Sequence, residues 1–191
     1  MISELADEPE PNDHRAYNYR GLIYYHLKQK TKAIEDFSEA IRLNPNEASY
    51  YYNRGNAYLI SWYDKQAIDD FNKAIELNPS FAADAYKNCG YIHLRRGSEY
   101  EIRIRYERAI QCYNKTIELN PNDTEAYFRR GQAYQNLKKY EQAIQDYTKT
   151  IELNPNFYVA YYNRGKCYQK LGEQEKAKQD FEKADKLGDN G

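Results

Sequence analysis

Tryptophan and methionine occur once each in the 191 residues, cysteine three times, and no long uninterrupted apolar run appears. No stretch approaches the roughly 20 apolar residues of a membrane-spanning helix. Residues 1–13 lack the basic start and apolar run of a secretion signal. Three cysteines are an odd number and too few for a disulfide framework, which fits a reducing compartment and a soluble, cytoplasmic protein. An excess of charge of one sign is also missing: 28 Lys and Arg stand against 29 Asp and Glu, whereas a general nucleic-acid binder is clearly basic. The mean hydropathy of -1.06 would suit a disordered polyampholyte. Against that stand 22 tyrosines, far more than a disordered chain carries.

The tyrosines are periodic. YNYRGLIY, YYNRGNAY, YKNCGYIH, YFRRGQAY and YYNRGKCY begin at Tyr17, Tyr51, Tyr86, Tyr127 and Tyr161, and their glycines are Gly21, Gly55, Gly90, Gly131 and Gly165. Each glycine is followed by an alanine, Ala33, Ala67, Ala109, Ala143 or Ala177, that opens AIEDF, AIDDF, AIQCY, AIQDY or AKQDF. Four units end in LNP at Pro45, Pro79, Pro121 and Pro155. Apolar residues recur at helical spacing in both halves of a unit, as in Tyr127, Gly131, Tyr134 and Ala143, Ile144, Tyr147, Ile151, so each unit reads as two helices. The helix-internal glycine costs about 1 kcal/mol relative to alanine, and close approach of the small repeat alanines is expected to offset it. Asn-Pro disfavours helical geometry at the asparagine and ends the second helix.

An aromatic, a glycine, a tyrosine, then alanine, an aromatic and proline at this period resemble the tetratricopeptide repeat. The resemblance implies an all-α fold, a right-handed superhelical solenoid of antiparallel helix pairs with the first helices lining a concave groove. It places an acidic segment at residues 1–13, repeats at about 14–47, 48–82, 83–123, 124–157 and 158–191, and a short tail at 188–191. The tetratricopeptide array itself covers 14–187. Without the acidic segment, 28 cations face 24 carboxylates. In the last repeat Lys178 and Asp185 replace the isoleucines seen at Ile34 and Ile41, a polar terminal face that reads as the end of the array.

Two columns vary together. The residue before the glycine is Arg20, Arg54, Arg130 or Arg164, and three residues after the repeat alanine stands Asp36, Asp70, Asp146 or Asp180. The third repeat replaces both with Cys89 and Cys112, which predicts that the two positions touch across the helix pair as a structural ion pair. The cysteines read as reduced core thiols, with a regulatory disulfide as the alternative. The third repeat also carries seven extra residues after Gly97. Ser98 and Glu101 form a capping-box pattern, and Ile102, Tyr106, Ala109 and Tyr113 continue one stripe, so the extension belongs to the second helix. Trp62 is expected to pack on that overhang. The alternative is a second docking surface of Trp62, Arg96, Tyr100, Arg103 and Arg105.

Mapping the family's concave face onto the first helices selects Arg15, Asn18, Leu22, Tyr52, Asn53, Asn56, Lys87, Asn88, Tyr91, Arg129, Gln132, Tyr162, Asn163 and Lys166. Amides, aromatics and scattered cations suit the main chain and acidic groups of an extended peptide. The expected function is therefore a protein-interaction adaptor that binds a protein or peptide, plausibly acidic, with neither nucleic acid nor membrane as partner. A monomer is expected, and a self-associating scaffold is the alternative. A chaperone-tail clamp fits less well. Asn56, Asn88 and Arg129 match that clamp, but its lysine sites hold Tyr52 and Glu125. His14, His26 and His93 fall in separate repeats with no nucleophile or metal-ligand spacing around them, so no catalytic residue, metal or cofactor is expected. Nine tyrosines in the two columns around the glycine, with Tyr113 and Tyr147 in the second-helix aromatic slot, are expected to form a rigid aromatic core with polar tips.

Overall fold

The LNP segments act as stops through the asparagine. Asn44, Asn78 and Asn154 leave helical geometry with φ of -139°, -149° and -140°, while each N–H still donates to the carbonyl four residues back. Their side chains accept from the N–H two residues on, as Asn78 does from Ser80 at 3.0 Å and Asn154 from Asn156 at 3.1 Å. Helix starts are capped by Asp13, which accepts from the N–H groups of Arg15 and Ala16, and by Asp123, which accepts from Ala126.

A computed structural model describes residues 12–95 and 102–188. Its helices are α1 (His14–His26), α2 (Lys30–Leu43), α3 (Ala48–Ile60), α4 (Asp64–Leu77), α5 (Ala82–Arg95), α6 (Ile102–Leu119), α7 (Thr124–Asn136), α8 (Tyr140–Leu153), α9 (Tyr158–Lys170) and α10 (Gln174–Gly188), with a 3₁₀ turn at Pro79–Phe81. Among the described residues there is no strand. The expected all-α arrangement of antiparallel helix pairs holds. The chain divides into two compact units, Met1–Cys89 and Gly90–Gly191, with the boundary inside α5. That boundary falls in the repeat that carries cysteine in place of the Arg and Asp columns. In the first unit α1 packs on α2, α2 on α3 and α3 on α4; in the second, α6 packs on α7, α7 on α8, α8 on α9 and α9 on α10.

The repeat glycine is explained by a ring rather than by the alanine. A Cβ on Gly21, Gly55, Gly131 or Gly165 would lie 2.7 to 2.8 Å from the ring of Phe37, Phe71, Tyr147 or Phe181, and one on Gly90 would lie 2.7 Å from Tyr113. The alanines Ala33, Ala67, Ala109 and Ala143 are fully buried beside these rings. The core aromatics are thus Phe37, Phe71, Tyr113 and Tyr147, all completely buried. This corrects the reading of the tyrosine columns as core: Tyr17, Tyr24, Tyr51, Tyr58, Tyr127, Tyr134, Tyr161 and Tyr168 are each only half-buried.

Turns within the repeats place one residue in the left-handed region, at Lys28, Trp62, Lys138 and Gly172, with φ from 59° to 81°. Trp62 is a bulky side chain for that conformation. It remains 51% exposed and Tyr63 53%. Of the overhang on which Trp62 is expected to pack, residues 96–101, with Arg96, Gly97, Ser98, Tyr100 and Glu101, lie outside the described residues. Of the cations in the alternative docking surface, Arg103 pairs with Glu107 at 2.9 Å and Arg105 donates to the Ile92 carbonyl at 3.4 Å.

Two core positions generate opposite outcomes. The Tyr147 hydroxyl donates to Gln135 Oε1 at 2.6 Å, whereas the buried Tyr113 hydroxyl has no partner among the described residues. Leu94 occupies the place of Gln135 in that repeat. Tyr113→Phe should raise stability by about 1 kcal/mol and Tyr147→Phe lower it by a similar amount in urea unfolding. Gly131→Ala should fail to stabilise, and should cost up to about 2 kcal/mol in urea unfolding, because an overpacking term of about 1–3 kcal/mol offsets or exceeds the propensity gain of about 1 kcal/mol.

Candidate functional site

Each repeat outside the third is fastened by one arginine. Arg20, Arg54, Arg130 and Arg164 donate through Nε and one terminal nitrogen to both oxygens of Asp36, Asp70, Asp146 and Asp180, at 2.6 to 2.8 Å. The four aspartates are buried, at 4% to 6% exposure, so the pairs are desolvated forks rather than surface contacts. Asp36 hydrogen bonds hold the Arg20 guanidinium above its ordinary value, as Asp180 does for Arg164. Burial alone would lower Arg54 and Arg130, yet their carboxylate partners keep both raised. At Asp146 burial outweighs the Arg130 bonds and pushes the carboxyl up.

The arginine also reaches the preceding helix pair. Its second terminal nitrogen donates to Ser38 from Arg54 at 3.1 Å, to Asn114 from Arg130 at 2.7 Å and to Thr148 from Arg164 at 3.0 Å. The guanidinium carbon also lies over column tyrosine rings, that of Arg54 at 5.8 and 5.7 Å from the Tyr51 and Tyr58 centroids and that of Arg164 at 5.6 and 5.9 Å from Tyr161 and Tyr168. Sequence reasoning found the carboxylate but missed both of these contacts. Cys89 is buried, and burial pushes the half-buried Cys112 thiol up to about 11, away from the reactive thiolate. Cys89, Cys112 and Cys167 form no disulfide among the described residues.

Several expected groove residues are spent on holding first helices together. Asn53 Nδ2 donates to Asn18 Oδ1 and Asn88 Nδ2 to Asn56 Oδ1, both at 2.9 Å, linking α1 to α3 and α3 to α5. The half-buried Tyr52 is stacked against Phe71 at 5.8 Å and Phe81 at 5.1 Å, and Lys87 pairs with Asp84 at 3.3 Å. His14 Nδ1 lies 2.7 Å from the Tyr50 hydroxyl.

In the second unit a groove of about 800 Å³ is open. Its walls include Tyr91, Arg129, Gln132, Asn163 and Lys166, which the sequence had selected. They also include Leu94, Tyr106, Gln135, Asn136, Lys138, Tyr140, Gln169 and Lys170, which it had not. Leu94, Gln135 and Gln169 lie four residues after their glycines and Asn136 and Lys170 five, one helical turn beyond the residues chosen. Following the same face for another turn would have found them. Tyr106 and Tyr140 come from the starts of second helices, and no first-helix rule reaches them. Tyr162 lies outside this groove, at the far end of the last helix pair. Among the described residues the lining holds four cations, three tyrosines, five side-chain amides and no carboxylate. Arg129 is restrained: it donates to Glu125 at 2.6 Å and Gln132 at 3.2 Å, and its guanidinium lies 5.8 Å from the Tyr91 centroid. Lys138, Lys166 and Lys170 are exposed. Among the described residues no group of three histidine, cysteine or acidic side chains could hold a metal ion, and no helix is long and apolar enough to cross a membrane.

These features define a helical-repeat interaction protein. The tetratricopeptide repeat profiles match residues 14–47, 48–81, 124–157 and 146–179, and a further TPR repeat profile matches 103–138. The chain belongs to the tetratricopeptide repeat family. No curated protein matches it in sequence. Solved structures similar to it include a MamA protein, at 24% identity with 92% of each chain covered and a TM-score of 0.79. Residues 41 to the end of MamA from Desulfovibrio magneticus RS-1 align at 20% identity, covering 95% of this chain and 98% of that one, TM-score 0.82. YrrB, described as a TPR protein with an unusual peptide-binding site, aligns at 24% identity over 98% of this chain and 92% of its own, TM-score 0.75. At these identities the likeness establishes the fold.

The forks give a direct test. Arg130→Leu and Asp146→Leu should each cost about 3 kcal/mol in urea unfolding, because each leaves a buried charge unpaired, and the double variant should cost clearly less than the sum. Additive losses would show that the two residues are not coupled.

Proposed function

We propose that the protein is a non-catalytic adaptor whose second unit binds an extended acidic segment of a partner protein in the α7/α9 groove. One observation carries this reading: among the described residues the groove walls hold four cations and no carboxylate. The tyrosines and amides beside them supply flat apolar faces and hydrogen bonds to a peptide main chain. The field would speed association as well as strengthen it. Binding of a chaperone tail in the clamp manner is disfavoured, because Glu125 already takes the one matching cation, Arg129, in an ion pair. The free thiols fit a cytoplasmic setting. Self-association is a second reading, favoured by the exposed Tyr19, Ile23 and Leu27 on α1. Sedimentation at two protein concentrations separates it from a monomeric receptor.

A fluorescent 12-residue peptide rich in glutamate, and its glutamine counterpart, should differ at least about tenfold in affinity for the full chain by anisotropy. Lys166→Glu with Lys170→Glu should remove that difference without changing the unfolding midpoint, since both side chains are exposed. Equal binding of the two peptides would overturn the acidic-segment reading.

A further inference from the structure

One side chain of the α7/α9 groove is tied to the core beneath it. Tyr147 is fully buried and its hydroxyl donates to Gln135 Oε1 at 2.6 Å, while Gln135 itself is half-buried and lines the groove. That hydroxyl proton has no other acceptor among the described residues. Turning the amide over would present Nε2 to it and leave a buried donor unsatisfied, so the oxygen stays down. Gln135 Nε2, without a partner among the described residues, is the polar atom left to face the groove.

The other repeats separate the two halves of this device. The residue four after each glycine is Tyr25, Leu59, Leu94, Gln135 and Gln169, and the ring that meets the glycine is Phe37, Phe71, Tyr113, Tyr147 and Phe181. Hydroxyl and glutamine coincide in the fourth repeat alone. In the third, Tyr113 keeps its hydroxyl but Leu94 replaces the glutamine, and the hydroxyl has no partner among the described residues, so the ring packs without the bond. In the fifth, Gln169 is paired with Phe181, which offers no hydroxyl, and Gln169 is exposed where Gln135 is half-buried. The neighbours of Gln135 on α7 are fastened at one end as well. Gln132 Oε1 accepts from Arg129 at 3.2 Å, which leaves its Nε2, and Asn136 Nδ2 donates to the Gln132 main-chain carbonyl at 2.8 Å, which leaves Oδ1. Three groove amides on one helix thus present two donors and one acceptor, the complement of the carbonyls and N–H groups along an extended chain.

Resting on the acidic-segment reading of this groove, we propose that α7 recognises the main chain of the bound segment. Gln135, held by Tyr147, donates to a peptide carbonyl in the middle of the three repeats that line the groove, and Asn136 Oδ1 accepts a peptide N–H. The cations select acidic side chains, whereas the fastened amides select an extended main chain of any side-chain composition. Tyr147 is a positioning residue that touches no ligand. It spares Gln135 the rotamer entropy that an untethered glutamine such as Gln169 loses on binding.

The test uses the full chain and the glutamate-rich 12-residue peptide with single backbone amides replaced by esters, each of which removes one N–H and weakens the adjoining carbonyl as an acceptor. By anisotropy one central ester should cost the wild-type protein about fivefold in affinity, and the same ester should cost Gln135→Leu less than about twofold. Tyr147→Phe should weaken the all-amide peptide about three- to tenfold although its side chain is buried, and should flatten the ester scan, which a purely structural role would not do. The double variant should bind no more weakly than Gln135→Leu alone. Gln135→Leu copies Leu94 of the preceding repeat, so it keeps the test sound should Tyr147→Phe fold poorly. An ester scan unchanged in Gln135→Leu, or an all-amide affinity unchanged in Tyr147→Phe, would overturn main-chain recognition by α7, and a glutamate peptide that still outbinds its glutamine counterpart would leave the acidic-segment reading standing. Binding of neither peptide would overturn both.

Discussion

A guanidinium buried between two helices must have its charge matched and its donors filled, and the four repeats that carry one are built around that requirement. The carboxylate on the second helix takes two donors and fixes the distance between helices of a pair. A hydroxyl or amide on the preceding pair takes another where one is available, so one side chain registers both the repeat and its neighbour. The tyrosines three residues before and four after the arginine close over its faces. Stacking requires a flat, apolar ring with a wet edge, which is why tyrosine rather than leucine fills those columns. Hydropathy therefore undercounts this protein: much of its order lies in stacked amphipathic rings.

The same economy shapes the inner face of the first helices. Where adjacent repeats both offer amides, as at Asn18 with Asn53 and Asn56 with Asn88, the side chains bond to each other. In the second unit the corresponding positions are Tyr91, Arg129, Gln132, Asn163 and Lys166, larger and more cationic, and there a groove is left open. The difference between the units is one of side-chain length and charge on a common backbone.

Much of the fold was legible in the residues because a repeat prints each constraint several times. The glycine column and the Asn-Pro stops recur at 34 or 35 residues outside the longer third repeat, and the joint change to Cys89 and Cys112 exposed the ion pair from the residues alone. What escaped was contact that spacing alone cannot assign. The ring of Phe37 or Tyr147, rather than the alanine beside it, makes the glycine necessary. The column tyrosines looked like core because they recur on the helical period, yet that period marks only a face and not how deeply it is covered. Tyr106, Lys138 and Tyr140 reach the groove from second helices and turns.

The sequence by itself determined the helix pairs, their order and the residues that fasten each pair, since these depend on local periodicity and on pairs a fixed sixteen residues apart. Only the tertiary structure decided which amides and cations remain available. Asn53, Asn88 and Tyr52 are consumed by neighbours, while Lys166 and Lys170 are left exposed beside a groove that has no carboxylate among the described residues. That outcome depends on which side chains meet across helices. Identical residue types at equivalent positions meet different partners in successive repeats, so composition and spacing could name the candidates but not choose among them.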